Sequence, residues 1–226
     1  MAGILRDISE SDIISTSTPQ LMVCFLIDNS YSMMENRRME MVNEGLKSFI
    51  DTAKSNPITR DGIEVCSITF GGFGPIVRTE FTNVAKINFQ PIKAEGGTFL
   101  QKAIDLALDK IRQREEFYSA TGAAYYHPWL IIMSDGKSED NIDLQIEKLH
   151  DLYDAHKLKA KCIGLGGKEK DFEELKKLSP NGEIEHMADF SMDIPHFFAM
   201  LSESATHMSM SSPDAEDDSA DIFMRV

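Results

Sequence analysis

Two runs, LMVCFLI at 21–27 and WLIIMS at 129–134, place almost no polar side chain on either face of an extended segment. A strand with one face in water alternates polar and apolar residues. A strand without that alternation is covered on both faces, the condition of a parallel sheet packed between two layers of helices. GIEVCSITF (62–70) and KAKCIGLG (159–166) extend the set, and EIEHM (183–187) adds a weaker strand. Between the runs, apolar residues recur at steps of three and four: Met39, Val42, Leu46, Phe49, Ile50 and Ala53, then Leu100, Ile104, Ala107, Leu108 and Ile111. Further stripes run through Ile142, Ile146, Leu149 and Leu152, through Phe172, Leu175 and Leu178, and through Ile194, Phe197, Phe198 and Leu201. Each is the apolar face of an amphipathic helix. GGFGP followed by the alternating IVRTEF (76–81) predicts a hairpin and an antiparallel edge strand. Strands alternating with helices of this length, under the right-handed crossover rule, predict an α/β fold: one doubly wound, mostly parallel sheet with one antiparallel edge strand.

At 226 residues the chain is expected to form a single domain over 18–207, with an extension at 1–17 and an acidic, Ser-rich tail at 208–226. The tail composition predicts disorder, and it ends in DIFMRV, three apolar side chains behind the acids. Lys plus Arg is 23 against 37 Asp plus Glu, a formal charge of −14, which argues against nucleic acid or an anionic membrane surface as partner. A cation or a basic protein surface suits that charge better. Cys24, Cys66 and Cys162 each lie in or beside an apolar run without a CxxC pair, the pattern of reduced core thiols. No stretch reaches the roughly 18 apolar residues of a membrane span, and the first residues lack a secretory pattern. The expected location is cytoplasmic.

In open parallel sheets ligands gather beyond the carboxyl ends of the strands, where strand order reverses. Three polar sets fall at such places: Asp28, Ser30 and Ser32 in IDNSYSM, Thr98 in EGGTFL, and Asp135 in IIMSDGKSED. All offer hard oxygen donors and none offers imidazole or thiolate, which suits Mg²⁺ with its octahedron at about 2.0–2.1 Å, or Mn²⁺ or Ca²⁺, over zinc or copper. Positions i, i+2 and i+4 leaving a strand into a tight loop can converge on one point. Gly96 and Gly97 allow the backbone to bring Thr98 close, and Gly136 allows a turn behind Asp135. Singly, each of these residues is a common helix cap or turn former; the combination is what points to a metal.

Asp-x-Ser-x-Ser after an apolar strand, Thr after Gly-Gly about seventy residues on, and Ser-Asp-Gly after a later apolar strand resemble the metal-ion-dependent adhesion site of von Willebrand factor A domains, over roughly residues 18–207. PQLMVCFLIDNSYSM, MVNEGLKSFI, IKAEGGTFLQKAIDLA and YYHPWLIIMSDGKSED look most like the bacterial tellurium-resistance TerY-type members. The resemblance implies that Ser30 and Ser32 bind the ion directly, Thr98 directly or through water, and Asp28 and Asp135 through water and hydrogen bonds. It implies a non-enzymatic interaction module in which a partner's Asp or Glu completes the shell, with Tyr31, Gly97 and Gly136 at the rim. For TerY-type proteins it further implies company with a protein kinase and a PP2C-like phosphatase in stress or phage responses. Tyr31 departs from the Gly common in intracellular members and matches integrin β subunits. Glu35, near an adjacent cation in integrins, is read here as a solvated loop charge because Asn36 is a poor anionic ligand.

A Mg²⁺-dependent phosphatase or phosphotransferase with Asp28 as nucleophile is the alternative. Enzymes of that kind need a second Asp two residues on, and that position is Ser30. The acidic stretch Asp214–Asp221 could itself supply a carboxylate to the ion, in the same chain or in a neighbouring copy.

Overall fold

The computed structural model describes residues 18–136, 140–188 and 190–213. Its six strands are β1 (Leu21–Ile27), β2 (Ile63–Thr69), β3 (Ile76–Asn83), β4 (Trp129–Ser134), β5 (Lys159–Leu165) and β6 (Glu185–Met187). Among the described residues six α-helices accompany them, besides three 3-10 helices: α1 (Arg38–Ser55), α2 (Pro57–Gly62), α3 (Leu100–Thr121), α4 (Asp143–Asp154), α5 (Glu173–Leu178) and α6 (Phe190–Met210). The strands make one sheet in the order β3-β2-β1-β4-β5-β6. Every pairing is parallel except β2 with β3, so the antiparallel edge expected from the hairpin pattern is present.

The unbroken apolar character of β1 follows from its central place. Leu21, Val23, Phe25 and Ile27 face a core shared with α1 and α6, while Met22, Cys24 and Leu26 face a second core shared with α3, α4 and α5. All seven β1 side chains are fully buried. At about 25 cal/mol per Å² of apolar surface, each large side chain contributes roughly 1.5–3 kcal/mol to holding the two helical layers on the sheet. α1 and α6 come close enough that a Cβ on Gly45 would lie 2.1 Å from the Phe198 ring, so only glycine fits there. The three cysteines are buried and unpaired with one another as disulfides. Burial pushes the Cys162 thiol up to about 12, which leaves it protonated and unreactive.

Helix α2 was not legible from periodicity. Six residues are too few to show a stripe, but Asn56 followed by Pro57 is a start signal: the Asn56 side chain accepts the Ile58 amide at 3.0 Å, with Pro at the first helical position. At the other end of the chain α6 continues to Met210, three residues beyond the expected domain limit at 207. The extension at 1–17 and the tail from 214 lie outside the described residues.

Candidate metal centre

The chain runs from β1 out to β2 on one side and later returns to place β4 on β1's other side, so strand order reverses between β1 and β4. Ile27 stands level with Met133 across this boundary, and the Asp28 amide donates to the Met133 carbonyl at 2.8 Å. Asp28 and Ser134 therefore emerge side by side, and the Ser134 hydroxyl donates to Asp28 Oδ2 at 2.7 Å. Asp28 Oδ1 accepts the Ser30 amide at 2.8 Å. Asp28 is almost wholly buried. Burial raises its carboxyl above the usual carboxylate range, the hydrogen bonds from Ser30 and Ser134 pull it back, and the nearby Asp135 carboxylate raises it further.

Ser32 donates its hydroxyl to Asp135 Oδ1 at 2.9 Å and lies 3.0 Å from the Ser30 hydroxyl. Each hydroxyl has one proton, so with the Ser32 proton on Asp135 the Ser30 hydroxyl donates to Ser32. Four of the five residues expected at a metal, Asp28, Ser30, Ser32 and Asp135, are thus linked through local hydrogen bonds or adjoining backbone. Thr98 stands outside that chain but is buried at the same end of the sheet.

What holds Thr98 there is a residue that the sequence reading passed over. Asn29, fully buried, accepts the Gly71 amide at 2.6 Å and donates to the Lys93 carbonyl at 2.9 Å. Its own carbonyl accepts the Glu95 amide at 2.5 Å, and the Tyr31 amide donates to the Gly96 carbonyl at 3.0 Å. From α1, Asn43 makes a second two-way clamp on Ile92, at 2.7 and 2.9 Å. The irregular segment before α3 is therefore fixed along its length, as a long functional loop requires. Gly96 has φ +56°, and a Cβ on it would lie 2.5 Å from Gly72 Cα; the two loops touch backbone to backbone. The chain bends at Asp135 and Gly136 as expected, with a φ at Gly136 outside the left-handed region and no described atom within 4 Å of where a Cβ would stand.

Arg38 is the other residue sequence reasoning missed. It opens α1, is buried, and donates to Asp135 Oδ2 at 2.7 Å and to the Ser32 carbonyl at 3.3 Å. The link that aims it inward contains two successive left-handed residues, Asn36 (φ 50°) and Arg37 (φ 61°). Such a backbone costs on the order of 1 kcal/mol or more per non-glycine residue and persists only where the surroundings enforce it. A signal did exist, since an arginine at the start of an apolar helical stripe is out of pattern. Glu35 is exposed and 3.9 Å from Arg38.

The donors fit a small hard cation. Adjacent ligands of an octahedron with arms of about 2.05 Å are separated by roughly 2.9 Å, and the Ser30–Ser32 hydroxyl spacing is 3.0 Å. Among the described residues no group of three or more His, Cys, Asp or Glu side chains gathers as a metal site would, so the donors here are two carboxylates and hydroxyls. Tyr31 projects beside these oxygens with 65 % of its surface exposed, and Gly97 and Gly136 are half-buried.

This chain belongs to the von Willebrand factor type A domain family, whose pattern matches residues 23–199. Comparison with curated proteins gave no significant match. Among solved structures, the pilus adhesin SpaC of Lactobacillus rhamnosus GG superposes with a TM-score of 0.63 at 13 % identity, over 83 % of this chain and 30 % of the adhesin. Proximal thread matrix protein 1 of the mussel byssus, with a zinc-occupied MIDAS motif, superposes with a TM-score of 0.57 at 16 % identity, over 85 % of this chain and 46 % of that one. The VWA domain of SpRpn10 gives 0.52 at 14 % identity, over 76 % and 94 %. The chain thus spans less than half of the adhesin and byssus proteins, and these likenesses concern the fold. Domains of this family are typically adhesion or protein-interaction modules, usually without catalysis. Among the described residues no helix is long and apolar enough to cross a membrane.

Proposed function

We propose that this protein is a non-enzymatic interaction module that captures an acidic side chain of a protein partner through a divalent cation, Mg²⁺ in the first instance, held by Ser30, Ser32 and Thr98 with Asp28 and Asp135 behind them. The observation that carries the reading is the convergence of the Ser30, Ser32 and Asp135 oxygens where the strand order reverses, with the two serine hydroxyls at octahedral-edge spacing. A bound cation would supply positive charge and a coordination position for the partner's carboxylate. The chain's own groups orient the site: Ser134 and the Ser30 amide hold Asp28, and Arg38 holds Asp135. With Asp28 and Asp135 offset by Arg38, a dication leaves the centre net positive, which favours a carboxylate over a neutral or basic group.

The phosphatase reading fits this geometry poorly. Asp28 is buried and both of its oxygens accept hydrogen bonds, whereas a nucleophile must reach a phosphorus in line. The motifs shared with tellurium-resistance TerY-type proteins support a cytoplasmic bacterial setting beside a kinase and a PP2C-like phosphatase, and the buried free thiols agree with a reducing compartment.

The test is metal titration of purified protein by Mn²⁺ electron paramagnetic resonance with Mg²⁺ and Zn²⁺ competition, comparing wild type with Ser32→Ala and Thr98→Ala. One site per chain, displaced by Mg²⁺ and weakened at least about tenfold in each variant, is expected. Affinity unchanged in both variants, or steady release of phosphate from an aryl phosphate that Asp28→Asn abolishes, overturns the reading.

A further inference from the structure

Exposed apolar side chains are distributed unevenly over this molecule. Of the eight large hydrophobic residues that are exposed among the described ones, six lie at the carboxyl pole of the parallel strands, where the metal centre sits: Tyr31, Met34, Phe73, Ile76, Leu144 and Met192. Only Ile58 and Met210 are elsewhere. Phe73 is wholly exposed at the tip of the β2–β3 turn, one residue from Gly72, which pairs with Gly96 beside the centre. Tyr31 and Met34 flank it on the loop after β1. A hard-oxygen cation site edged by apolar side chains suits a ligand with a carboxylate next to apolar residues, and such polarised exposure marks an interaction surface.

The chain carries a segment of that chemistry. Residues 214–226 read DAEDDSADIFMRV, in which Asp221 is followed directly by Ile222, Phe223 and Met224. The segment departs from the opposite pole: the Ser211 carbonyl accepts the Tyr126 hydroxyl at 2.8 Å, and Tyr126 itself bonds Gln20, just before β1 begins. Crossing the sheet from end to end is roughly 20 Å along a strand of this length. The path from Pro213 must also round the helical layer. Asp214 to Asp218 are at most five residues from Pro213, a reach of about 18 Å, and Asp221, at eight residues, reaches about 29 Å only when fully taut. Reaching the centre of its own domain would take most of that extended length, whereas a neighbour's tail has no such limit.

We propose that the metal-bearing pole of one copy receives the C-terminal segment of another, Asp221 toward the cation and Ile222–Met224 on the rim of Tyr31, Met34 and Phe73. The inference rests on the metal-bridged reading above. The contact is head to tail, so it generates chains or rings of copies. Because each copy carries a formal charge of −14, the cation and the apolar rim must offset mutual repulsion, and assembly is promoted by salt as well as by Mg²⁺.

Sedimentation of the full chain over a range of concentrations, in Mg²⁺ and in EDTA, is compared with Asp221→Asn and with a chain ending at residue 213; Mn²⁺ binding is measured on each. The expected result is a weight-average mass that at least doubles with concentration in Mg²⁺, falls to one copy in EDTA, and falls likewise in both altered chains while Mn²⁺ binding persists. A synthetic 214–226 peptide should bind the shortened chain in Mg²⁺ only. A full chain that stays monomeric in Mg²⁺, association that survives EDTA or removal of the tail, or a peptide that fails to bind overturns the inference. If Mn²⁺ still binds in those cases the metal-bridged reading stands; if no form binds Mn²⁺, that reading falls as well.

Discussion

Two buried arginine–carboxylate pairs lie near opposite poles of the same sheet, and they differ in what surrounds them. Near the amino pole, Arg114 of α3 meets Glu64 of β2 through two N–H groups: Nε donates to Glu64 Oε2 at 2.7 Å, Nη2 donates to Oε1, and the Phe117 and Tyr118 rings lie 4.8 and 5.0 Å from the charge. Tyr118 adds its hydroxyl at 3.3 Å. At the carboxyl pole Arg38 donates to one oxygen of Asp135, and the other accepts a serine hydroxyl that is itself bonded to a second serine. The first pair is closed by aromatic rings and a fork geometry with no exchangeable partner. The second ends in hydroxyls that can trade a hydrogen bond for a metal. The same ionic chemistry thus closes one end of the fold and, at the other, leaves a chain of serine hydroxyls.

That contrast is broken most directly at the closed pair. Arg114→Met leaves Glu64 buried without its partner, and the expected loss is about 3–5 kcal/mol, read from urea unfolding and identical in Mg²⁺ and EDTA. The double variant Glu64→Gln, Arg114→Met should recover most of it, because the unpaired charge, and not the lost attraction, carries the cost. A single-variant loss below about 1 kcal/mol would mean that water reaches Glu64 and that the two poles are alike.

The open pair should respond differently. Arg38→Ala is expected to cost about 1–3 kcal/mol in EDTA, from an Asp135 left partly unpaired, and to lose about 0.6–1.4 kcal/mol less, relative to wild type, in saturating Mg²⁺, because a ligand that binds the folded state more tightly stabilises it more. Removing one positive charge from the site should also tighten Mn²⁺ or Mg²⁺ by roughly 3- to 10-fold, the scale of a screened unit charge a few ångströms away. Equal losses with and without Mg²⁺ would make Arg38 a structural residue like Arg114 and would remove the distinction.

The degree to which the sequence disclosed all this also divides along the sheet. Buried strands and long helices were legible because burial on two faces or one stripe writes a period into the chain: β1 and the stripe of α1 lie where the apolar pattern put them. The oxygens of Asp28, Ser30, Ser32 and Asp135 could be grouped because strand ends converge where the order reverses. Asn29 and Arg38 could not. Asn29 acts on backbone amides and carbonyls more than forty positions away, and such contacts leave no residue-type signature at the far end. Arg38 depends on a left-handed pair, Asn36 and Arg37, that no periodicity encodes. Short α2 lacked the length for a stripe, so only its Asn-Pro start could have announced it.

The smallest expected effect tests whether the apolar rim belongs to the open pole as surface or as core. Phe73→Ser removes a large aromatic ring that is wholly exposed, so no apolar area returns to water on unfolding and no cavity is left. Stability should stay within about 0.5 kcal/mol of wild type, and the Mn²⁺ affinity should not change, since Phe73 contributes no oxygen. A loss above about 1 kcal/mol would show that the ring packs on the domain in solution, and the carboxyl pole would then be more closed than its geometry indicates. An unchanged fold together with weaker Mg²⁺-dependent self-association would separate the two parts of that pole: oxygens that hold the ion, and apolar side chains that touch only what the ion brings in.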